Sequence, residues 1–199
     1  MNDMRKNAVY NKEKLMKKQL GKVNCLYPMP TVIVGCMVNG KPNYITMAHV
    51  GIMTPNTISL GMNKSHFSNQ GIKENRTFSI NIPSDDMVRE TDYCGLFSGK
   101  DVDKSELFEN FYGVLETAPM IAGCPVNMEC RLVQTVEFPT HDIFIGEVIE
   151  THCDEKVLSD GIVDFAKIKP ILFDMPQRQY WKLGEPFAKC WKIGMQLKK

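Results

Sequence analysis

Two hexapeptides, Thr57-Ile58-Ser59-Leu60-Gly61-Met62 and Thr77-Phe78-Ser79-Ile80-Asn81-Ile82, alternate small polar and large apolar residues without a fault. A period of two is the signature of a half-buried β-strand, and Pro83 stops the second one because it cannot donate to a ladder. Upstream, Val32–Val38 is apolar on both faces, as in a strand covered on both sides. Asn39-Gly40 then sits between apolar flanks, the pairing that best accommodates a tight hairpin. Residues 27–83 therefore read as strand, hairpin, strand, strand, short helix and strand.

The second half extends the pattern. From Asn127 to Phe138, Met128, Cys130, Leu132, Gln134 and Val136 share one face, with Glu129, Arg131 and Thr135 on the other. After the turn Pro139-Thr140-His141-Asp142, Ile143–Ile149 supplies a long antiparallel partner. Ser84 with Asp85 and Asp86 marks a helix start, extending to about Thr91. Asp164–Ile168 predicts one helical turn before Pro170, and Ile171–Phe173 a final short strand. Many short strands with few helices predict a mainly β fold, a Greek-key β-barrel with short peripheral helices.

A chain of 199 residues with 43% hydrophobic and 24% charged residues supports one well-buried core. Its net charge of +1 provides no global field for nucleic acid or membrane, and no apolar run approaches a membrane span. Met1–Gly21 lacks the apolar core of a signal peptide, and seven cysteines without C-x-x-C spacing read as reduced thiols in a cytoplasmic protein. Residues 1–20 read as a basic N-terminal arm, preceding a domain over 21–199.

The chemistry-bearing stretches are Asn43–Gly51, rich in small residues, and Lys64–Asn69, with hydroxyls, an amide and a cation at an expected helix start. Such a helix start suits a phosphate, and a strand of small residues suits a flat ring. Each residue also has a plainer reading: Asn43 as turn chemistry, Ser65 as a helix N-cap, Lys104 as a solvated cation, and Phe67 and Phe173 as core. No GxGxxG, P-loop or G-x-S-x-G occurs, and no metal site is expected, since Cys124 and Cys130 have only distant histidines.

Several stretches, in order, resemble the flavin reductase-like FMN-binding split barrels, most nearly the flavoredoxins. They are Tyr27–Gly35, Gly40–Ala48, Asp92–Lys104, Glu129–Glu137, His141–Val148 and Pro170–Phe173, and the resemblance covers about Gly21 to Gly194. It implies a split-barrel homodimer with FMN near the subunit interface. It places Asn43, Thr46, Ala48 and His49 along the isoalloxazine ring, and Ser65, His66, Phe67, Ser68 and Asn69 at the phosphate and ribityl chain. Lys104 would reach the phosphate or ring, with His141 and Phe173 lining the flavin. At position 49 the flavoredoxin pattern typically has tryptophan, so His49 departs from it. The implied activity is electron transfer from NAD(P)H or a redox-protein donor through FMN, with no catalytic side chain required. A non-enzymatic FMN carrier or sensor, and a cofactor-free interaction domain, stay open on these residues.

Overall fold

The computed structural model describes residues 17–197, apart from the side chain of Gln196. Most of the expected basic arm, residues 1–16, lies outside the described residues, and residues 17–20 form no regular element. Strands β1 (Met29–Pro30), β2 (Val32–Val38), β3 (Lys41–Met47), β4 (Val50–Thr54) and β5 (Thr57–Asn63) are followed by helix α1 (Ser68–Asn75) and β6 (Thr77–Ile82). A 3₁₀ turn, Asp85–Met87, leads into α2 (Val88–Leu96), then β7 (Asn110–Phe111), β8 (Met120–Ile121), β9 (Val126–Glu137) and β10 (His141–Cys153). The chain closes with β11 (Leu158–Ser159), β12 (Ile162–Val163), α3 (Phe165–Ile168), β13 (Ile171–Asp174) and β14 (Gln179–Lys182), and a last 3₁₀ turn at Ile193–Leu197.

The fold is mainly β. Seven strands form one antiparallel sheet in the order β3-β2-β6-β9-β10-β5-β4. Its β2–β3 turn uses Asn39 and Gly40 at φ 51° and 77°, the left-handed pair that matches strand twist. The two edge strands, β3 and β4, are consecutive in the chain, separated only by Ala48 and His49. Three Cα–Cα steps of about 3.8 Å bring those edges within roughly 11 Å at that end, so the sheet rolls back on itself.

One apolar cluster lines the inside of the roll, with Val34, Leu60, Phe78, Cys130 and Phe144 fed from five different strands and Ile72 from α1. The alternation in β5 and β6 is thus obeyed: Leu60, Met62, Phe78 and Ile80 are all buried in that cluster. A second cluster of Ile33, Tyr44, Cys94, Ile121 and Cys124 packs on the opposite face of β2 and β3, under α2.

Three expectations need correction. The helix expected to end near Thr91 runs to Leu96, because Thr91 and Cys94 are one turn apart and both buried. Ile171–Phe173 is not the last strand, since β13 pairs with β14 through Leu172 opposite Trp181. Ser65 does not cap α1: Asn63 Oδ1 accepts from both the Ser65 N–H and hydroxyl at 2.9 Å, forming a local turn, and α1 starts at Ser68.

Candidate functional site

Asn43 on β3 follows Pro42 and is buried because its amide has a partner: Nδ2 donates to Ser68 Oγ at 2.8 Å. This bond ties the sheet edge to the first residue of α1. Segment 97–104 then crosses in front. Gly99 passes so close that a Cβ there would lie 2.1 Å from Asn43 Oδ1 and 2.8 Å from the Phe67 ring, so only glycine fits. On the outer side of this segment, Lys41 Nζ meets Asp103 Oδ2 at 2.7 Å, an exposed pair that lowers the Asp103 carboxyl through its hydrogen bond.

Lys104 turns inward. The residue is 3% exposed, and its ammonium donates to the carbonyls of Tyr44 at 2.8 Å and Cys94 at 3.2 Å. Burial lowers its pKa, and the two carbonyls satisfy two of its three donors. One cation thereby fastens β3 to α2 and places positive charge behind a cleft. Thr46 adds a second tie by donating its hydroxyl to the Thr91 carbonyl.

The cleft, about 230 Å³, lies between Asn43–Ile45, Ser65–Ser68 and Cys94–Gly99, with Lys104 in its wall. A second cavity of about 330 Å³ shares Ser65, His66 and Phe67 with it and adds Lys64, Asn69, Lys73, Lys100 and Asp142. Three buried polar atoms on this second wall have no hydrogen-bond partner: His66 Nδ1, Asn69 Oδ1 and Asp142 Oδ1. Buried polar atoms are seldom left so, and all three belong to residues of one wall, with Asp142 Oδ1 3.6 Å from Lys64 Nζ. Burial lowers the His66 pKa, with the nearby His141 adding to the effect. Burial raises the Asp142 pKa, but the Lys73 hydrogen bond at 2.8 Å and the charges of Lys73 and Lys64 outweigh it, so the carboxyl lies below its ordinary value.

The structure thus gathers Asn43, Ser65, His66, Phe67, Ser68, Asn69 and Lys104 around two adjoining cavities. His141 stands opposite Asn63 at the start of β10, beside the same turn. Ala48 lies half-buried in the step between the edge strands. His49 and Phe173 lie elsewhere. The exposed His49 ring lines a separate cavity with Tyr27, and Phe173 packs on Tyr180, with centroids 5.7 Å apart, in the small β1-β13-β14 sheet.

Lys73, Lys100 and Asp142 were not singled out by sequence reasoning. Lys73 had a readable signal, one helical turn beyond Asn69 on the same face. Asp142 had none, since its role depends on the β9–β10 hairpin carrying it under α1. The buried thiols offer no nucleophile: burial pushes Cys36 up to about 12 and Cys94 to about 11. Among the described residues no group of three or more His, Cys, Asp or Glu is placed to hold a metal ion, and no helix is long and apolar enough to cross a membrane.

Comparison with known proteins places these features in context. The family model for the flavin reductase-like domain matches residues 24–175. The crystal structure of a flavoredoxin from Methanosarcina acetivorans is similar at 44% identity and a TM-score of 0.89, covering 92% of this chain and 99% of that one. A flavoredoxin of Desulfovibrio vulgaris (Miyazaki F) is similar at 34% identity and a TM-score of 0.83, covering 90% of this chain and 100% of the other. An FMN-binding protein from Thermus thermophilus shares the fold, with 22% identity and a TM-score of 0.74 over 87% of this chain and 97% of its own.

Proposed function

The chain belongs to the family of flavin reductase-like domains, and on that footing we propose that it is an FMN-dependent redox protein of the flavoredoxin kind. Family membership and the likeness to two flavoredoxins support a flavin-binding redox function. The observation that carries the choice of FMN is the cavity that gathers Lys64, Lys73 and Lys100 with Ser65, His66 and Asn69.

The residues fit the cofactor. Lys64, Lys73 and Lys100 supply cationic donors for a phosphate, and Ser65, His66 and Asn69 on the same wall supply polar groups for a ribityl chain. The adjoining cleft, walled by Asn43 and Gly95–Gly99, takes the ring, with Thr46 further along the same strand and Ala48 and His49 in the step that follows it. Lys104 places positive charge at the back of that cleft, which favours an anionic reduced ring and so raises its potential. Bound FMN supplies the redox chemistry; this chain supplies position, charge and exclusion of water.

The rolled sheet, with consecutive strands at its two edges, is read as a split barrel. Exposed Ile52 and Met53 on edge strand β4 favour a homodimer in which a second copy covers that edge. Electrons come from NAD(P)H or a redox protein. The free thiols, four of them buried, suit a reducing cytoplasm.

The test is spectroscopic. Purified protein should show flavin absorbance, and the apoprotein should bind FMN about 100-fold more tightly than riboflavin, as two charge-assisted bonds to a phosphate imply. Equal affinity for the two would overturn the site assignment, and binding of neither would overturn the flavin reading.

A further inference from the structure

The small sheet of β1, β13 and β14 has two unlike faces. Met29, Phe173 and Tyr180 are cross-strand neighbours on one, and the Tyr180 hydroxyl donates to Asp92 Oδ1 at 2.9 Å, so this face is turned toward α2. Lys182 belongs to the same side, where it pairs with Asp85 at 2.7 Å. Alternation puts Pro30, Leu172, Asp174 and Trp181 on the other face, which is turned to solvent, with Trp181 52% exposed. A cavity of about 330 Å³ opens there, between Asp174, Pro176 and Trp181 on one side and Cys25, Tyr27 and Pro28 on the other. The Tyr27 hydroxyl is engaged by His49 Nε2 at 3.0 Å, so what Tyr27 offers the cavity is its ring. Asp174 is the only charged lining residue. Its Oδ1 accepts from the Gln177 N–H at 3.3 Å, and among the described residues it has no ion pair, although Arg178 lies in the turn that follows.

We propose that this cavity is a binding site for a small organic cation, a quaternary ammonium group held between the Tyr27 and Trp181 rings and the Asp174 carboxylate. Charge, wall chemistry and size each narrow the ligand. A lone carboxylate among lining residues without lysine or arginine repels phosphates and carboxylates and attracts a cation. Tryptophan and tyrosine rings attract cations through their electron-rich faces, and a quaternary ammonium is the group that such aromatic walls recognise best. A hydrated metal ion is disfavoured, because calcium and magnesium need several oxygen ligands and this wall offers one carboxylate. Two prolines complete an apolar surface that suits methyl groups rather than a hydration shell. The volume lies at the low end for ligand pockets, enough for one compact cation. The inference goes beyond the flavin reading and uses none of the residues placed at the flavin.

The experiment uses the full chain, with and without FMN, titrated with tetramethylammonium chloride and followed by calorimetry. The chain has two tryptophans, so Trp191→Phe, at a residue 92% exposed, leaves Trp181 as the sole fluorescent reporter of where the cation binds. A saturable change in Trp181 emission is expected, with potassium at the same ionic strength and tert-butyl alcohol, neutral and of similar shape, giving little. Asp174→Asn keeps an acceptor for the Gln177 N–H, and with it the turn, but should weaken the cation about tenfold. Trp181→Leu preserves an apolar partner for Leu172 and should weaken it to a similar degree in calorimetry. No saturable response, an equal response to potassium or to the neutral alcohol, or unchanged affinity in both variants would overturn the proposal. Cation binding in a protein that takes no FMN would leave this site standing and remove the flavin reading alone.

Discussion

The carboxylate of Glu129 and the ring of His152 meet across the β9–β10 ribbon, Oε1 to Nε2 at 3.1 Å, with Glu129 fully buried. The same carboxylate accepts from the N–H groups of Val114 at 3.0 Å and Leu115 at 2.5 Å. Gly113 runs directly over it, since a Cβ there would lie 2.1 Å from Oε1. One glutamate thus pins the loop between β7 and β8 to the sheet, leaving little unsatisfied charge in the interior.

This arrangement predicts a specific acid sensitivity. Burial pushes the Glu129 carboxyl up, but the bonds from Leu115, Val114 and His152 hold it below its ordinary value. The stability it contributes is therefore fully present above the unfolded glutamate value, about 4.3, and is lost as pH falls toward the folded value. Glu129→Gln keeps the shape but turns an amide donor toward an N–H. It should cost about 1–3 kcal/mol at neutral pH and flatten the fall in stability between about pH 5 and 3. Thermal melts across that range check it, and an unchanged melting point and slope would refute it.

Gly99→Ala should weaken FMN retention about tenfold or more, because the added methyl would collide with Asn43 Oδ1 and force either the loop or the β3–α1 tie apart. Gly184→Ala is the control, as nothing lies within 4 Å of its Cβ position. Equilibrium dialysis with FMN compares the two. Equal retention would show that segment 97–104 does not shape the site.

How much of this was legible in the sequence follows from which interactions are local. The strands β5 and β6 and the Asn39-Gly40 hairpin were readable because period and turn chemistry act over a few residues. The cluster at Lys64–Asn69 was readable for the same reason, although Phe67, not Ser65, precedes the helix. The burial of Glu129 was not legible, since alternation reports side and not cover, and its cover comes from residues 113–115. The inward turn of Lys104 and the burial of Asp142 were invisible because each depends on partners more than thirty residues away: Tyr44 for one, Lys64 and Lys73 for the other.

The homodimer reading predicts a mass near twice 22.6 kDa in light scattering. Ile52 at 86% exposure and Met53 at 56% lie on an edge strand, where unpaired apolar surface invites a second chain. Phe187 and Trp191 are also almost fully exposed, adding apolar surface near the C-terminus. Ile52→Lys together with Met53→Lys should shift the protein to the monomer. A monomeric parent that still holds FMN would refute the reading.

The source of electrons is decided by stopped-flow mixing of FMN-loaded protein with NADH and NADPH under anaerobic conditions. The chain has no dinucleotide fingerprint, so a nicotinamide nucleotide must lie directly on the exposed flavin, held by stacking and a few nearby cations. That predicts direct but modest oxidation, with a KM on the order of 0.1–1 mM. His49 follows Ala48 at the strand step, an exposed residue whose Nε2 lies 3.0 Å from the Tyr27 hydroxyl. His49→Trp should change turnover more than FMN retention, because the cofactor is held chiefly through its phosphate at the far cavity. If the flavin stays oxidised for minutes with either nucleotide but is reduced by a protein donor, the chain is an electron carrier and not a nicotinamide-dependent reductase.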